Sequence, residues 1–256
     1  LAVFTPLRLT VVGAAGTGKS FVIDTLTSLI RQMFQKNNAV HVLAPTGTAA
    51  FNIKGETLHT FAGLDWHDLY KELSDKSKEK MIEKLQATVA IFIDERSLIS
   101  LELIGALEQN VAKTAHECSH ANEDWGGIPV VVLFGDDYQL PPVRVKGAFS
   151  ILDDKGEKKS RFNSKLETKG IEQYMSLGEN VVELDFIVRQ NSDQVHFKNI
   201  LKRLRVGWTN ENDRKRLKSL CLDDERYTGT EKKKSQKRHC IYLQLIRDVL
   251  LIMLKD

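Results

Sequence analysis

Residues Gly13 to Ser20 read GAAGTGKS, a complete G-x-x-x-x-G-K-S segment, and no other stretch so narrows the folds open to this chain. Such a segment works only between a strand and a helix. Its glycines let backbone N–H groups wrap around phosphate oxygens, and the helix that follows adds a favourable dipole for negative charge. The flanks match this demand. Arg8 to Val12 reads as a β-strand, and Lys19 to Phe34 reads as a helix with Phe21, Leu26, Leu29, Ile30 and Phe34 on its apolar face. Gly13, Gly16, Thr17, Gly18, Lys19 and Ser20 are therefore the candidate nucleotide-binding residues. Lys19 is expected to reach the β- and γ-phosphates of ATP, and Ser20 to ligate Mg2+.

The strand–helix alternation continues along the chain. Val40–Ala44, Val89–Ile93, Pro129–Phe134 and Val181–Leu184 are short apolar runs rich in β-branched residues. Leu98 to Ala115 and Gln194 to Arg205 have helical spacing, with Gly207 able to end the latter. Such alternation predicts an α/β fold with a parallel sheet covered by helices on both faces. Leu64 to Leu85 is polar and Lys-rich and predicts one or two solvated helices, with Leu69, Leu73, Met81, Ile82 and Leu85 making contacts. Asp153 to Lys169 is so charged that it predicts an exposed excursion.

Two further strand ends carry chemistry. VAIFIDE sets Asp94 and Glu95 just past an apolar strand, where parallel strands face a ligand crevice. With the glycine loop upstream, Asp94 is expected to hold Mg2+ through water, and Glu95 to orient and deprotonate the water that attacks the γ-phosphate. VVVLF runs into GDDYQLPPV, where the Gln139 amide can sense the γ-phosphate or its water and Pro141 and Pro142 stiffen the segment.

Composition adds limits. A hydrophobic fraction of 42% supports a packed core, and the net charge of +3 is mildly basic without identifying a partner. The three cysteines, Cys118, Cys221 and Cys240, form neither a disulfide ladder nor a Cys-x-x-Cys pair. HECSH brings His116, Cys118 and His120 together at a spacing that matches no familiar metal site. No signal peptide opens the chain, and Ile241 to Leu254 is interrupted by Arg247 and Asp248, so no membrane anchor is expected. The start at Leu1 suggests that earlier residues of a longer product are absent. EKKKSQKRH reads as a solvated linker, with nuclear import or DNA contact as alternatives.

With these residues in view, the chain resembles the PIF-type DNA helicases, the RecD-like branch of helicase superfamily one. GAAGTGKS looks like that family's first motif. APTGTAA (44–50) and GETLHTF (55–61) look like its DNA-contacting motifs, IDERSLIS and GDDYQLPPV like its second and third, and LDFIVRQ (184–190) like its fourth. Together these cover about four-fifths of the chain. The resemblance implies a RecA-like domain and ATP-driven 5′-to-3′ translocation on single-stranded DNA, in repair, recombination and telomere maintenance. It implies work on nuclear or mitochondrial DNA, and the EKKKSQKRH run favours the nucleus, with the mitochondrion as the alternative; a monomer is expected. By resemblance, Arg189 approaches the γ-phosphate across an inter-domain cleft as an arginine finger, and Thr46, Thr57 and His59 lie near the DNA strand. His59 also has a plain reading, that of a hydrogen-bonded core histidine.

The departures from the family pattern are specific. Leu98 stands where the family has methionine, a swap of similar volume. The family's adenine-recognising glutamine segment is not found upstream of the first motif, and its fifth and sixth motifs, which build a second RecA-like domain, are not found after Gln190. The expected organisation is thus a RecA-like ATP-binding domain over 1–190, a helical start of the next region over 191–222, and a basic linker with an aliphatic tail over 223–256. Cys240 to Asp256 is open to a frameshift reading, which the gene sequence would test. Two rivals stand beside the helicase reading: an ATP- or DNA-binding half-motor without turnover, and a P-loop ATPase unrelated to nucleic acid.

Overall fold

The computed structural model describes residues 5–116, 123–143, 145–151, 164–186 and 195–218. The 223–256 tail, LDFIVRQ beyond Phe186, and Cys118 and His120 of HECSH lie outside them. The chain divides into two compact units, Leu1–Arg189 and Gln190–Asp256.

The first unit is built on a six-stranded sheet in which every adjacent pair of strands is parallel. Its strands are β1 (Leu7–Gly13), β2 (Val40–Ala44), β3 (Glu56–Thr57), β4 (Ala90–Ile93), β5 (Val130–Gly135) and β6 (Val181–Leu184), in the order β3-β2-β4-β5-β1-β6. Helices α1 (Lys19–Phe34), α2 (Gly47–Asn52), α3 (Leu58–Ala62), α4 (Asp75–Leu85), α5 (Leu101–His116) and α6 (Lys165–Leu177) connect or follow them. The central strands read as unbroken apolar runs because both faces are covered. Along β4, Ile91 and Ile93 join a core with α3, α4, α5 and α6, while Ala90 and Phe92 join a second core with Ile23 of α1. The same alternation divides Val131 and Leu133 from Val132 and Phe134 in β5. A doubly covered parallel α/β sheet is thereby present as expected.

Three details differ from the sequence reading. The buried stripe of α1 is Ile23 and Thr27, with Val22 and Ile30 partly covered, whereas Phe21 is 75% exposed and Leu26, Leu29 and Phe34 also face outward. Apolar residues occur on more than one side of this helix, so periodicity could not say which stripe meets the sheet. Lys165 to Lys169 belongs to α6, with Leu166 and Glu167 buried, and not to an exposed excursion. Its charges misled because they are paired: Lys169 with Glu108 and Lys146 with Glu167. Finally, 64–74 is irregular backbone and only Asp75–Leu85 is helical, although Leu69 and Leu73 do pack on the core.

In the second unit, α7 (Val195–Arg205) ends at Gly207, whose φ of 72° is a left-handed conformation suited to glycine. Helix α8 (Glu211–Lys218) begins with a reciprocal cap, in which Asp213 N–H donates to Asn210 Oδ1 and Asn210 N–H donates to Asp213 Oδ2. The Arg203 guanidinium grips the same Asp213 through Nε and Nη2, each at 2.6 Å, joining the two helices.

Among the described residues, no helix is long and apolar enough to cross a membrane.

Candidate functional site: a phosphate loop beside paired carboxylates

Because the sheet is parallel, the segments leaving β1, β2, β3, β4 and β5 emerge at one edge. Brought to that edge are the glycine loop, Thr46, Thr57, the Asp94–Glu95 pair and the turn bearing Gln139. Residues far apart in the chain are thus collected by strand polarity alone.

The loop after β1 turns on Gly16 (φ 88°) and Gly18 (φ 96°), values that a side chain would strain. Gly18 caps α1 without a side-chain hydrogen bond, and the first turn carries no acidic residue. The helix end therefore presents its N–H groups and positive dipole where an anion is favoured. Lys19 is held in the same loop, its Nζ donating to the Gly13 carbonyl at 2.7 Å and to the Ala14 carbonyl at 3.2 Å. Thr17 is buried and its hydroxyl donates to the Ala14 carbonyl, so it braces the loop, whereas Ser20 is exposed in the first turn of α1.

At the end of β4, Asp94 is only 6% exposed and its Oδ1 accepts the Glu95 N–H at 2.9 Å. Glu95 has a left-handed backbone (φ 54°, ψ 46°), a strained conformation for a non-glycine residue. Burial pushes the Asp94 carboxyl above its ordinary range, partly offset by the Glu95 N–H and the Lys19 charge. Burial also raises Glu95, and the neighbouring charges of Asp94 and Asp136 add to it while Lys19 opposes them. Asp94, Glu95, Asp136 and Lys19 hence form one electrostatic neighbourhood in which negative charge is in excess.

This chemistry fits Mg2+. The oxygen donors of Ser20 and Asp94 suit a hard cation, and a divalent charge would relieve the crowding of carboxylates. Among the described residues no group of three or more His, Cys, Asp or Glu could hold a metal.

After β5, Asp136 is buried and organises a turn. Its Oδ1 accepts the Tyr138 N–H and its carbonyl accepts the Gln139 N–H, leaving the Gln139 side chain exposed. Asp136 escaped the sequence reading, although it occupies a strand end just as Asp94 does.

The segments after β2 and β3 are less simple. Thr46 and Thr57 cap α2 and α3, their hydroxyls accepting the Ala49 and Thr60 N–H groups. The imidazole of His59 stacks face to face on the Trp66 indole, with centroids 3.7 Å apart and planes 8° from parallel. Its Nδ1 is buried without a hydrogen-bond partner, unlike the satisfied core histidine of the plain reading, and burial lowers its pKa. Trp66, 68% exposed, turns its other side to solvent beside a cleft of about 470 Å³ lined also by Gly63, His67 and Lys71. No periodicity marked Trp66, because its partner lies across an irregular segment. Arg189 lies outside the described residues.

The chain is similar to known proteins along most of its length. The family model described as PIF1-like helicase matches residues 5–215. The chain is 30% identical over 221 residues to the ATP-dependent DNA helicase PIF1 of Saccharomyces cerevisiae (strain YJM789), covering 83% of this chain and 23% of that protein. It is 35% identical over 212 residues to the Candida albicans PIF1 helicase, covering 80% of this chain and 21% of the relative. Among solved structures, the crystal structure of the Candida albicans Pif1 helicase aligns with a TM-score of 0.57 at 30% identity, over 81% of this chain and 42% of that one. A structure of two coordinating Pif1 helicases unwinding forked duplex DNA aligns with a TM-score of 0.60 at 25% identity, over 86% of this chain and 48% of that one. The chain thus spans less than half the length of each of these four proteins.

Proposed function

The chain belongs to the PIF1-like helicase family, and from that premise we propose that it is the ATP-handling part of a DNA helicase motor, hydrolysing ATP in step with movement on single-stranded DNA. The observation that carries this reading is the convergence of the glycine loop, Lys19, the buried Asp94 and the half-buried Glu95 at one edge of a parallel sheet. Gly13, Gly16, Thr17, Gly18, Lys19 and Ser20 hold the triphosphate. Ser20 and Asp94 hold Mg2+, which when bound neutralises phosphate charge. Glu95 draws the proton from the attacking water, its raised pKa placing it nearer the working range of a general base. Gln139 orients that water, and Arg189 stabilises charge in the transition state.

DNA contact falls to the segments after β2 and β3. Thr46 and Thr57 cap α2 and α3, whose first-turn N–H groups would suit a phosphate, and the Trp66 indole backed by His59 offers a flat face for a base. The finer reading rests on the motif resemblance: 5′-to-3′ translocation in repair, recombination and telomere maintenance, in the nucleus or alternatively the mitochondrion.

The test is steady-state phosphate release by the purified chain with and without single-stranded DNA, with Lys19→Ala as the control. DNA-stimulated turnover that vanishes in the variant is expected. Nucleotide binding without turnover would favour a half-motor that acts only by binding. Turnover indifferent to DNA, together with no DNA binding, would favour an ATPase unrelated to nucleic acid.

A further inference from the structure

The two segments assigned to water activation and γ-phosphate sensing leave different strands, yet one ion pair joins them. Arg96 follows Glu95, and its Nε lies 3.0 Å from Oδ1 of Asp137, two residues before Gln139. Both side chains are mostly covered, at 15% and 28% exposure, so solvent screens this pair less than an ordinary surface pair.

Each end of the pair is itself held. The stem and backbone of Arg96 lie so close to Gly135, the last residue of β5, that a Cβ there would come within 2.5 Å of Arg96 Cγ. The buried Tyr174 hydroxyl of α6 is within hydrogen-bonding reach of the Ile99 carbonyl at 3.0 Å and the Arg96 carbonyl at 3.3 Å. Burial raises its pKa, so it remains the protonated donor these carbonyls need. On the other side, Asp136 fixes the turn containing Asp137 by accepting the Tyr138 and Gln139 N–H groups. The Glu95 backbone is left-handed and lies between the β4 strand and the Arg96 anchor, so its setting depends on what holds that anchor.

We propose that Arg96 and Asp137 are a positioning pair that keeps Glu95 and Gln139 in register with each other for ATP hydrolysis. Neither touches the reacting atoms. This inference rests on the roles of Glu95 and Gln139 given above and adds that their two turns act as one body. Displacement of a catalytic group by a fraction of an ångström to an ångström lowers the chemical step without removing the binding site.

The experiment compares Arg96→Met, Asp137→Asn and the double variant with the unaltered chain. Each single change is expected to lower kcat by about tenfold with the KM for ATP changed less than about twofold, and the double variant to be no slower than the slower single. Arg96→Lys, which keeps the charge, should recover most of the loss. Unchanged kcat in the single variants, losses that multiply in the double, or losses that track a fall in Tm or a rise in KM would overturn the proposal.

Amide hydrogen exchange provides a readout independent of turnover. Arg96→Met should speed exchange in 95–99 and 136–140 together, and loosening of only one segment, or of neither, would overturn it. If the unaltered chain binds nucleotide without turnover, the hydrolysis reading fails on its own, and coupled exchange still decides whether the two turns move as one.

Discussion

At the scale of single residues, the site gathers groups whose environments oppose their charges. Glu95→Gln keeps the shape of the side chain and removes the proposed base, so phosphate release should fall by about 10²- to 10⁴-fold while nucleotide binding persists. Asp94→Asn should act differently on stability. A carboxyl whose pKa is raised on folding binds its proton more tightly in the folded state, so it weakens the fold once pH rises above the ordinary aspartate range. The nucleotide-free Asn variant should therefore be more stable at neutral pH by about 1 kcal/mol, with the gain shrinking as pH falls, as read by denaturant titration. Lys19, Ser20, Asp94, Glu95 and Gln139 were legible in the chain because each sits at a fixed offset from a strand end. Trp66, Arg96 and Asp136 were not, since Trp66 meets His59 across an irregular segment, Arg96 meets Asp137 from another strand end, and Asp136 is buried only by packing.

At the scale of elements, α5 and α6 approach through glycine. A Cβ at Gly170 would lie 1.9 Å from the Leu101 carbonyl oxygen, and one at Gly105 would lie 2.3 Å from that of Leu166. Gly170→Ala should force the helices apart and cost about 1–3 kcal/mol, measured by chemical denaturation. Because α6 carries Tyr174, which holds the turn after Glu95, kcat should fall as well. The short β3 edge depends on charge. Burial alone would raise the Glu56 carboxyl, but His41, with its Nδ1 3.7 Å away, and Lys84, which donates to it at 2.7 Å, outweigh burial and hold it below its usual range. A depressed carboxyl contributes stability that is present above its unfolded pKa and lost as pH falls through the lower, folded value. Glu56→Gln should cost about 1 kcal/mol at neutral pH and flatten that acid limb of the stability curve. Helix α6 could not be found from its charged sequence, because Lys169 and Glu167 look solvated until Glu108 and Lys146 are seen beside them.

At the scale of the whole molecule, nucleotide binding and folding are linked. Saturating Mg-ATP at about 100 times its Kd should stabilise the first unit by about 2.7 kcal/mol, raising its Tm by several degrees, and Lys19→Ala should abolish the shift. A thermal melt with and without nucleotide checks this without any turnover. The chain's own pattern determined that it folds as a strand–helix alternation around a phosphate loop, because apolar runs of that length and spacing can be buried only in a doubly covered parallel sheet. The order β3-β2-β4-β5-β1-β6 was decided by tertiary structure, as were the face of α1 that meets the sheet, the stack of Trp66 on His59 and the bridge from Arg96 to Asp137. Periodicity records which residues avoid water, whereas partner choice depends on distances between segments that become neighbours only once the sheet has formed.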